Sequence, residues 1–440
     1  MDLRIKKWFA PLLFIVNAGV ILYIWLGNSG GGIRTGSLSS TAIAIGNLAG
    51  LFAFYFALWQ LLLIGRVPWI EKPWGHDKLS RIHHILGLCA VGLLLFHPPL
   101  LIYGYSKEAQ LGFISQFIFF LNNFDDILLA LTGYLLFITI IILSLWIIRK
   151  RLKYEVWYII HLMLYLAIIF TYQHQSKLGR DLATPSIQLY WQVLFYGTLL
   201  TIIYARFAKP LWNFWKYQFV VSEVRAETPD VNSVIITGKN LERLPAKAGQ
   251  FIIVRFFAKN FWWEAHPFSL SEVPNGTRLR LSIKAVGDFT KKIPQLPPNT
   301  RVLLEGPLGR FTGDKVNPED TIALIAGGIG ITPLRSLVEA FAKEQRTVDL
   351  IYAARTETDF ALKAELDTIA ANQGHIKLHY APENITGRLS AELIRQYIPD
   401  IAQRKIYLCG PPPMMKAVRV LLQSLGAPEK YIFFEKFQLG

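Results

Sequence analysis

Four of the nine histidines lie in or at the end of long apolar runs, and this feature constrains the fold most. His83 and His97 belong to the run 82–104; His161 lies in the run 155–172, and His174 just past its end. A helix crossing a hydrocarbon layer ~30 Å thick needs about 20 apolar residues. Ionisable groups are scarce at that depth because burying a polar group without a partner is costly. Histidines recurring in two such runs therefore call for a partner within the bilayer.

Helix geometry suggests that partner. Positions 83 and 97 differ by fourteen, which at ~100° and ~1.5 Å per residue sets them about 40° apart around the helix and roughly 21 Å apart along it. Haem iron is a fitting partner, and one helix could then present a ligand to each of two haems, one near each membrane face. Positions 161 and 174 differ by thirteen, about 140° on an ideal helix, which requires a distortion between them or different side-chain swings. Pro98 and Pro99 predict an interruption of the first helix just past His97. His84 competes as the inner ligand, although the fourteen-residue spacing favours His83.

At 52% hydrophobic, the 440 residues are too apolar for an ordinary soluble protein, and the excess lies before about residue 210. Six spans can be read there: 8–26, 41–64, 82–104, 127–148, 155–172 and 187–207. The first follows Arg4, Lys6 and Lys7 but is too long for a signal peptide and lacks a small-residue cleavage site, so it reads as an uncleaved helix. Fourteen Lys and Arg fall at the N-terminus, in the loops after the second and fourth spans, and after the sixth; the alternate loops hold only Arg34, Lys107, Lys177 and Arg180. That asymmetry predicts six crossings with both termini cytoplasmic. The third and fifth spans then run in the same direction, so His83 can pair with His161 on the inner side and His97 with His174 on the outer side.

The net charge of +15 fits anionic lipid and phosphate-bearing cofactors; no basic and aromatic nucleic-acid module accompanies it. The two cysteines, Cys89 and Cys409, fall in different domains, which argues against a disulfide framework or a thiolate metal site.

After Tyr217 the pattern changes. Short alternating strands at 217–225, 231–237, 249–257, 278–285 and 300–305, separated by turns such as Pro274-Asn275-Gly276, predict a small antiparallel β-barrel. From Thr321 strands at 321–326, 348–354, 375–381, 405–409 and 431–436 alternate with helices, the pattern of a doubly wound α/β domain. The predicted fold is thus a six-helix transmembrane bundle (1–215), an antiparallel barrel domain (216–315) and an α/β nucleotide-binding domain (316–440). The first α/β strand ends in Ala326-Gly327-Gly328-Ile329-Gly330-Ile331-Thr332-Pro333. Such glycines let backbone approach a pyrophosphate, and Pro333 suits the first turn of a helix whose N-terminus favours anions.

Several motifs carry a family resemblance. His266-Pro267-Phe268-Ser269-Leu270-Ser271, Gly287-Asp288-Phe289-Thr290 and Gly306-Pro307-Leu308-Gly309 precede the glycine turn, and Cys409-Gly410-Pro411-Pro412-Pro413-Met414 follows it. In that order they resemble the ferredoxin-NADP reductase module in the variant joined to a ferric-reductase-type transmembrane domain, as in NADPH oxidases and membrane ferric reductases. The resemblance implies FAD, NADPH and two b-type haems. Phe268 would lie against the flavin ring and Ser269 near its reactive nitrogen, while His266, beside Pro267, takes the place of an arginine in the soluble reductases. Lys284 and the turn Gly287, Asp288, Phe289, Thr290 would hold the FAD phosphates or ribityl chain. Gly327, Gly328, Gly330 and Thr332 would cradle the nicotinamide nucleotide, with Cys409 and Gly410 near the nicotinamide. Phe437, in Glu435-Lys436-Phe437, resembles the aromatic residue that covers the flavin. Arg355, after the second α/β strand, stands where NAD-preferring folds often have an acid, and suits the 2′-phosphate of NADPH; Arg388 is a second phosphate candidate, and NADH remains open.

Electrons would then run from NADPH through FAD, an inner haem (His83, His161) and an outer haem (His97, His174) to an acceptor. Two histidines per iron leave no open coordination position, so reduction is expected to be outer-sphere, of oxygen to superoxide or of a ferric or cupric chelate. The outer loops show no clustered metal site, which tips the expectation towards oxygen, and no calcium loop is read. A haem or proton transport protein is the competing class.

Overall fold

The computed structural model describes residues 3–144, 151 and 154–434, and divides into a unit Met1–Arg206 and a unit Phe207–Gly440. Six helices among the described residues are long and apolar enough to cross a membrane. They include α1 (Leu3–Gly27), α2 (Leu38–Ile64), α4 (His76–Glu108) and α6 (Asp125–Ser144), with two shorter helices, α3 (Pro68–Trp74) and α5 (Phe113–Asn123), between them. The fifth span is split into Tyr154–Leu162 and Leu164–Leu178, and the sixth begins as Pro185–Ile203. Of the loop charges used to orient the chain, Arg149, Lys150 and Lys153 lie outside the described residues.

Helix α2 is the most enclosed span and packs against α4 through small residues. A Cβ on Gly46 would lie 2.9 Å from Leu101 Cδ2, and one on Gly104 only 2.4 Å from Ile43 Cγ1. Small residues permit this approach of two backbones, which in lipid supplies packing that hydrophobicity cannot. The sequence expectation for α4 needs correction: the helix runs unbroken from His76 to Glu108 with Pro98 and Pro99 inside it. Two prolines remove two hydrogen-bond donors, but a membrane-spanning helix tolerates the loss where a neighbouring helix packs along it, as α2 does here. The distortion expected in the fifth span is present. Met163 N donates to Ile160 O and Leu166 N to Met163 O, both at 3.0 Å, so a tightened turn separates the helix of His161 from that of His174.

The second unit contains three sheets. Strands β1 (Val220–Thr228), β2 (Val231–Thr237) and β5 (Arg278–Lys284) form one antiparallel sheet; β3 (Phe251–Phe256), β4 (His266–Ser269) and β6 (Val302–Leu308) form another in the order β4-β3-β6. Isolated bridges, Val220 to Arg301 and Leu270 to Leu281, join them, so two bridged sheets enclosing one apolar core replace the expected continuous barrel. Strand β4 was not anticipated: four residues with a proline give no alternation to read. Strands β7 (Ile322–Gly327), β8 (Val348–Ala354), β9 (Ile376–Pro382), β10 (Lys405–Cys409) and β11 (Ile432–Phe434) form a parallel sheet ordered β11-β10-β7-β8-β9. The chain winds outwards from β7 through β8 to β9, then returns to place β10 on the other side of β7. The crevice between β7 and β10 is the switch point at which such sheets bind ligands.

Candidate cofactor sites

In the first unit, the rings of His83 and His161 face each other with centroids 6.3 Å apart and planes inclined by 65°. Two metal–imidazole bonds of ~2 Å each, together with the ring radii, fit that gap. His84, the rival, is exposed. His97 Nδ1 lies 2.8 Å from Gly46 O. A carbonyl can only accept, so Nδ1 carries the proton and Nε2 keeps its lone pair for a metal. Gly50 makes room for this ring, because a Cβ there would be 2.6 Å from both His97 Cε1 and Nδ1. His174 Nδ1 is buried with no hydrogen-bond partner among the described residues. His161 is also supported from behind: its Nδ1 is 3.2 Å from Ser144 Oγ, which accepts from Trp157 Nε1 at 3.3 Å, while the Trp157 ring stacks on the imidazole at 5.1 Å. The spacing of His83 and His161 has room for one metal centre between the rings, and His97 keeps a nitrogen free for another.

Sequence reasoning named the imidazoles but not the residues packed around them. The spacing Gly46-x-x-x-Gly50 in an apolar run and the one-turn separation of Trp157 and His161 were the available signals.

In the second unit, β4 places its motif against β3 with Ser269 opposite Phe251, Phe268 opposite Ile252, Pro267 opposite Ile253 and His266 opposite Val254. Ser269 is buried, and the half-buried Phe268 ring lies 6.5 Å from Phe289 at 20°. His266 Nε2 is 2.9 Å from Glu264 Oε2, and its ring tilts over Phe289 at 4.0 Å. Of the turn expected to hold phosphate, Phe289 turns its side chain into the core, and Thr290 Oγ1 accepts from Val286 N and Gly287 N at 2.9 Å each. Asp288 and the glycine backbone face outwards. Lys284 pairs with Asp230 at 3.1 Å. Burial works to raise the Asp230 carboxyl, but hydrogen bonds from Lys284 and Thr228 outweigh it and hold the group below its ordinary value.

The nucleotide turn sits at the switch point. A Cβ on Gly327 would lie 2.1 Å from Met414 Sδ, and one on Gly330 would lie 2.3 Å from Cys409 O and 2.7 Å from Gly410 N. Gly328, at φ +52°, opens on free space at the start of the helix Ile331–Lys343. Backbone N–H groups and a helix N-terminus there form a cradle for a pyrophosphate. Thr332 is buried and donates to Ile329 O at 3.1 Å, so it shapes the turn. Arg355 and Arg388 are exposed past the ends of adjacent strands β8 and β9, where Asn384 N donates to Arg355 O at 3.1 Å and ties the two loops together. Neither arginine pairs with a carboxylate among the described residues. Phe437 lies outside the described residues.

Glu365 was also missed, because no local pattern reveals it. It joins Arg280 of β5 at 2.7 Å, Arg335 of the helix Ile331–Lys343 at 3.0 Å and Arg225 of β1 at 3.0 Å. One carboxylate thus ties the antiparallel sheet β1-β2-β5 to the parallel-sheet lobe.

Comparison with known families assigns a ferric reductase like transmembrane component to residues 49–172, an FAD-binding domain to 218–312 and an oxidoreductase NAD-binding domain to 324–420. This is the architecture of the NADPH oxidase and ferric reductase family. A transmembrane component is thus followed by an FAD-binding domain and an NAD-binding domain in one chain. The chain is 36% identical over 151 residues to NADH-cytochrome b5 reductase 1 of Mortierella alpina, covering 32% of this chain and 50% of the relative. It is 27% identical over 253 residues to an NADPH oxidoreductase of Mycobacterium tuberculosis, covering 55% and 65% respectively. The chain spans about half the length of the first of these relatives. Among solved structures, the FAD/NAD-binding domain of nitric oxide dioxygenase from Vibrio cholerae O1 biovar El Tor is 24% identical, covering 49% of this chain and 96% of that one at a TM-score of 0.44.

Proposed function

We infer that the protein is a transmembrane NADPH oxidase that passes electrons from cytoplasmic NADPH, by way of FAD and two bis-histidine haems, to extracytoplasmic dioxygen. The convergence of His83 and His161 from the third and fifth spans, at 6.3 Å between rings, carries this reading. When bound, the flavin accepts a hydride and the haems relay single electrons. One NADPH would thus yield NADP⁺, a proton and two superoxide ions from two dioxygen molecules.

The residues of the chain bind and orient. The Gly328 backbone and the adjoining helix N-terminus would hold the pyrophosphate of NADPH, and Arg355 with Arg388 its 2′-phosphate. Cys409 and Gly410 at the end of β10 would flank the nicotinamide, Phe268 and Ser269 on β4 would meet the flavin ring, and Phe437 would cover it before nucleotide arrives. Each iron would be held by two imidazoles, which leaves no position for dioxygen and makes the final transfer outer-sphere. The charge asymmetry of the loops supports both termini on the cytoplasmic side.

A ferric chelate is the competing acceptor. Cytochrome c reduction with and without superoxide dismutase, run beside a ferric-chelate assay, separates the two. Dismutase-sensitive reduction supports the oxidase; dismutase-insensitive activity with rapid chelate reduction assigns a ferric reductase.

A further inference from the structure

The second unit exposes its aromatic residues unevenly. The helix Lys209–Tyr217 turns Pro210 and Tyr217 inwards, yet its outward face carries Leu211, Trp212, Trp215 and Lys216, with Trp212 68% and Trp215 67% exposed. Phe214, between them, packs on Phe257 at 5.6 Å, with the Arg301 guanidinium over its ring at 5.7 Å. Phe257 follows β3, and from the same strand Arg255 Nη1 donates to Trp262 O and Trp263 O at 3.3 and 3.2 Å. Trp262 and Trp263 are 61% and 58% exposed. Three separate segments are thereby knit into one aromatic surface, flanked by Lys216, Lys259 and Arg301, all exposed. Cores do not leave four tryptophans in water without cause, since each forgoes a large apolar burial.

We propose that this surface is a membrane-interface site that binds anionic phospholipid, with the tryptophans at headgroup depth and the basic side chains on the phosphates. Three observations select lipid as the occupant. Tryptophan is the residue enriched at the boundary between hydrocarbon and water. The exposed flanking side chains Lys216, Lys259 and Arg301 are basic and complement an anionic leaflet, while Glu264, after Trp263, is turned to His266 at 2.9 Å. The helix carrying Trp212 and Trp215 also continues the sixth apolar span, which runs from Pro185 to Tyr217. Held in this way, the flavin-binding lobe is tethered to the membrane surface at two places, through its chain connection and through the Trp262-Trp263 turn.

This inference rests on the chain being membrane-embedded, and the test separates the two claims. The full chain is labelled with 5-fluorotryptophan and placed in nanodiscs of phosphatidylglycerol or of phosphatidylcholine, and resonances are assigned by single Trp→Phe substitutions at 8, 212, 215, 262 and 263. A doxyl-labelled lipid and a water-soluble gadolinium chelate then report which residues lipid reaches. The proposal predicts that doxyl lipid removes the Trp212, Trp215, Trp262 and Trp263 signals, at least twofold more strongly in phosphatidylglycerol. Broadening of Trp262 and Trp263 by the chelate instead overturns it. Shielding from both reagents, the mark of a protein occupant, overturns it too, and equal broadening in the two lipids overturns the choice of anionic lipid. Trp8, in the first span, is the control: if doxyl lipid leaves it sharp, the membrane reading itself fails.

Discussion

Gly50 and His97 occupy adjoining space so tightly that the imidazole stands where a side chain at position 50 would go, 2.6 Å from the position of its Cβ. The ring is clamped between that glycine and the Gly46 carbonyl, which orients Nε2 away from α2. Gly50→Ala should therefore displace His97, at a cost of about 1–3 kcal/mol for overpacking. The expected outcome is a fall in haem content from two per chain towards one, while NADPH still reduces the flavin. Full haem loading in this variant would reject the seat.

Ser144 and Trp157 back the other ligand, His161. Loss of such an outer partner commonly weakens a metal site by about 10–100-fold. Ser144→Ala is expected to speed haem loss to an acceptor protein by that factor at the inner site alone, followed by difference spectra. Equal loss from both sites would count against the assignment.

Glu365 links the two lobes of the reductase module, and its carboxyl shows how. Burial works to raise it, but hydrogen bonding and charge from Arg280, then Arg335 and Arg225, prevail and hold it below its ordinary value of 4.5. A depressed carboxyl contributes stability at neutral pH that is lost as pH falls below about 4.5. Glu365→Gln should cost about 1–3 kcal/mol at pH 7, between the values for exposed and buried pairs. It should also flatten the acid limb of the thermal-stability profile. An unchanged profile would show that the pairing contributes nothing.

Arg355 directly follows β8, and Arg388 lies in the loop region after the neighbouring β9, with no carboxylate partner for either among the described residues. A charge-assisted hydrogen bond to phosphate is worth about 1.5–3 kcal/mol. Arg355→Ser should accordingly lower kcat/KM for NADPH by about 10–100-fold and leave NADH nearly unchanged. Equal losses for both nucleotides would remove the 2′-phosphate role.

How far the sequence foretold this molecule depended on the range of the interaction. The six spans were legible because bilayer crossing imposes a long one-letter pattern, and the glycine turn because it joins a β-run to a helix. The thirteen-residue spacing of His161 and His174 called for a distortion or for different side-chain swings, and the span is broken at Met163. Pro98 and Pro99 misled, because helix breaking is a local rule that packing within a bundle overrides. Strand β4 escaped because its pairing with β3, rather than its own alternation, makes it a strand. The Glu365 cluster draws on residues 225, 280, 335 and 365, and nothing short of the folded chain brings them together.

The central claim is that four imidazoles hold two haems as the path across the membrane. Its most direct test is a pyridine haemochrome and flavin assay on protein purified from haem-replete cells, with an optical spectrum taken before and after NADPH. The account predicts two b-type haems per FAD, with low-spin bands that NADPH reduces. Material that binds FAD and oxidises NADPH yet contains no haem would contradict it.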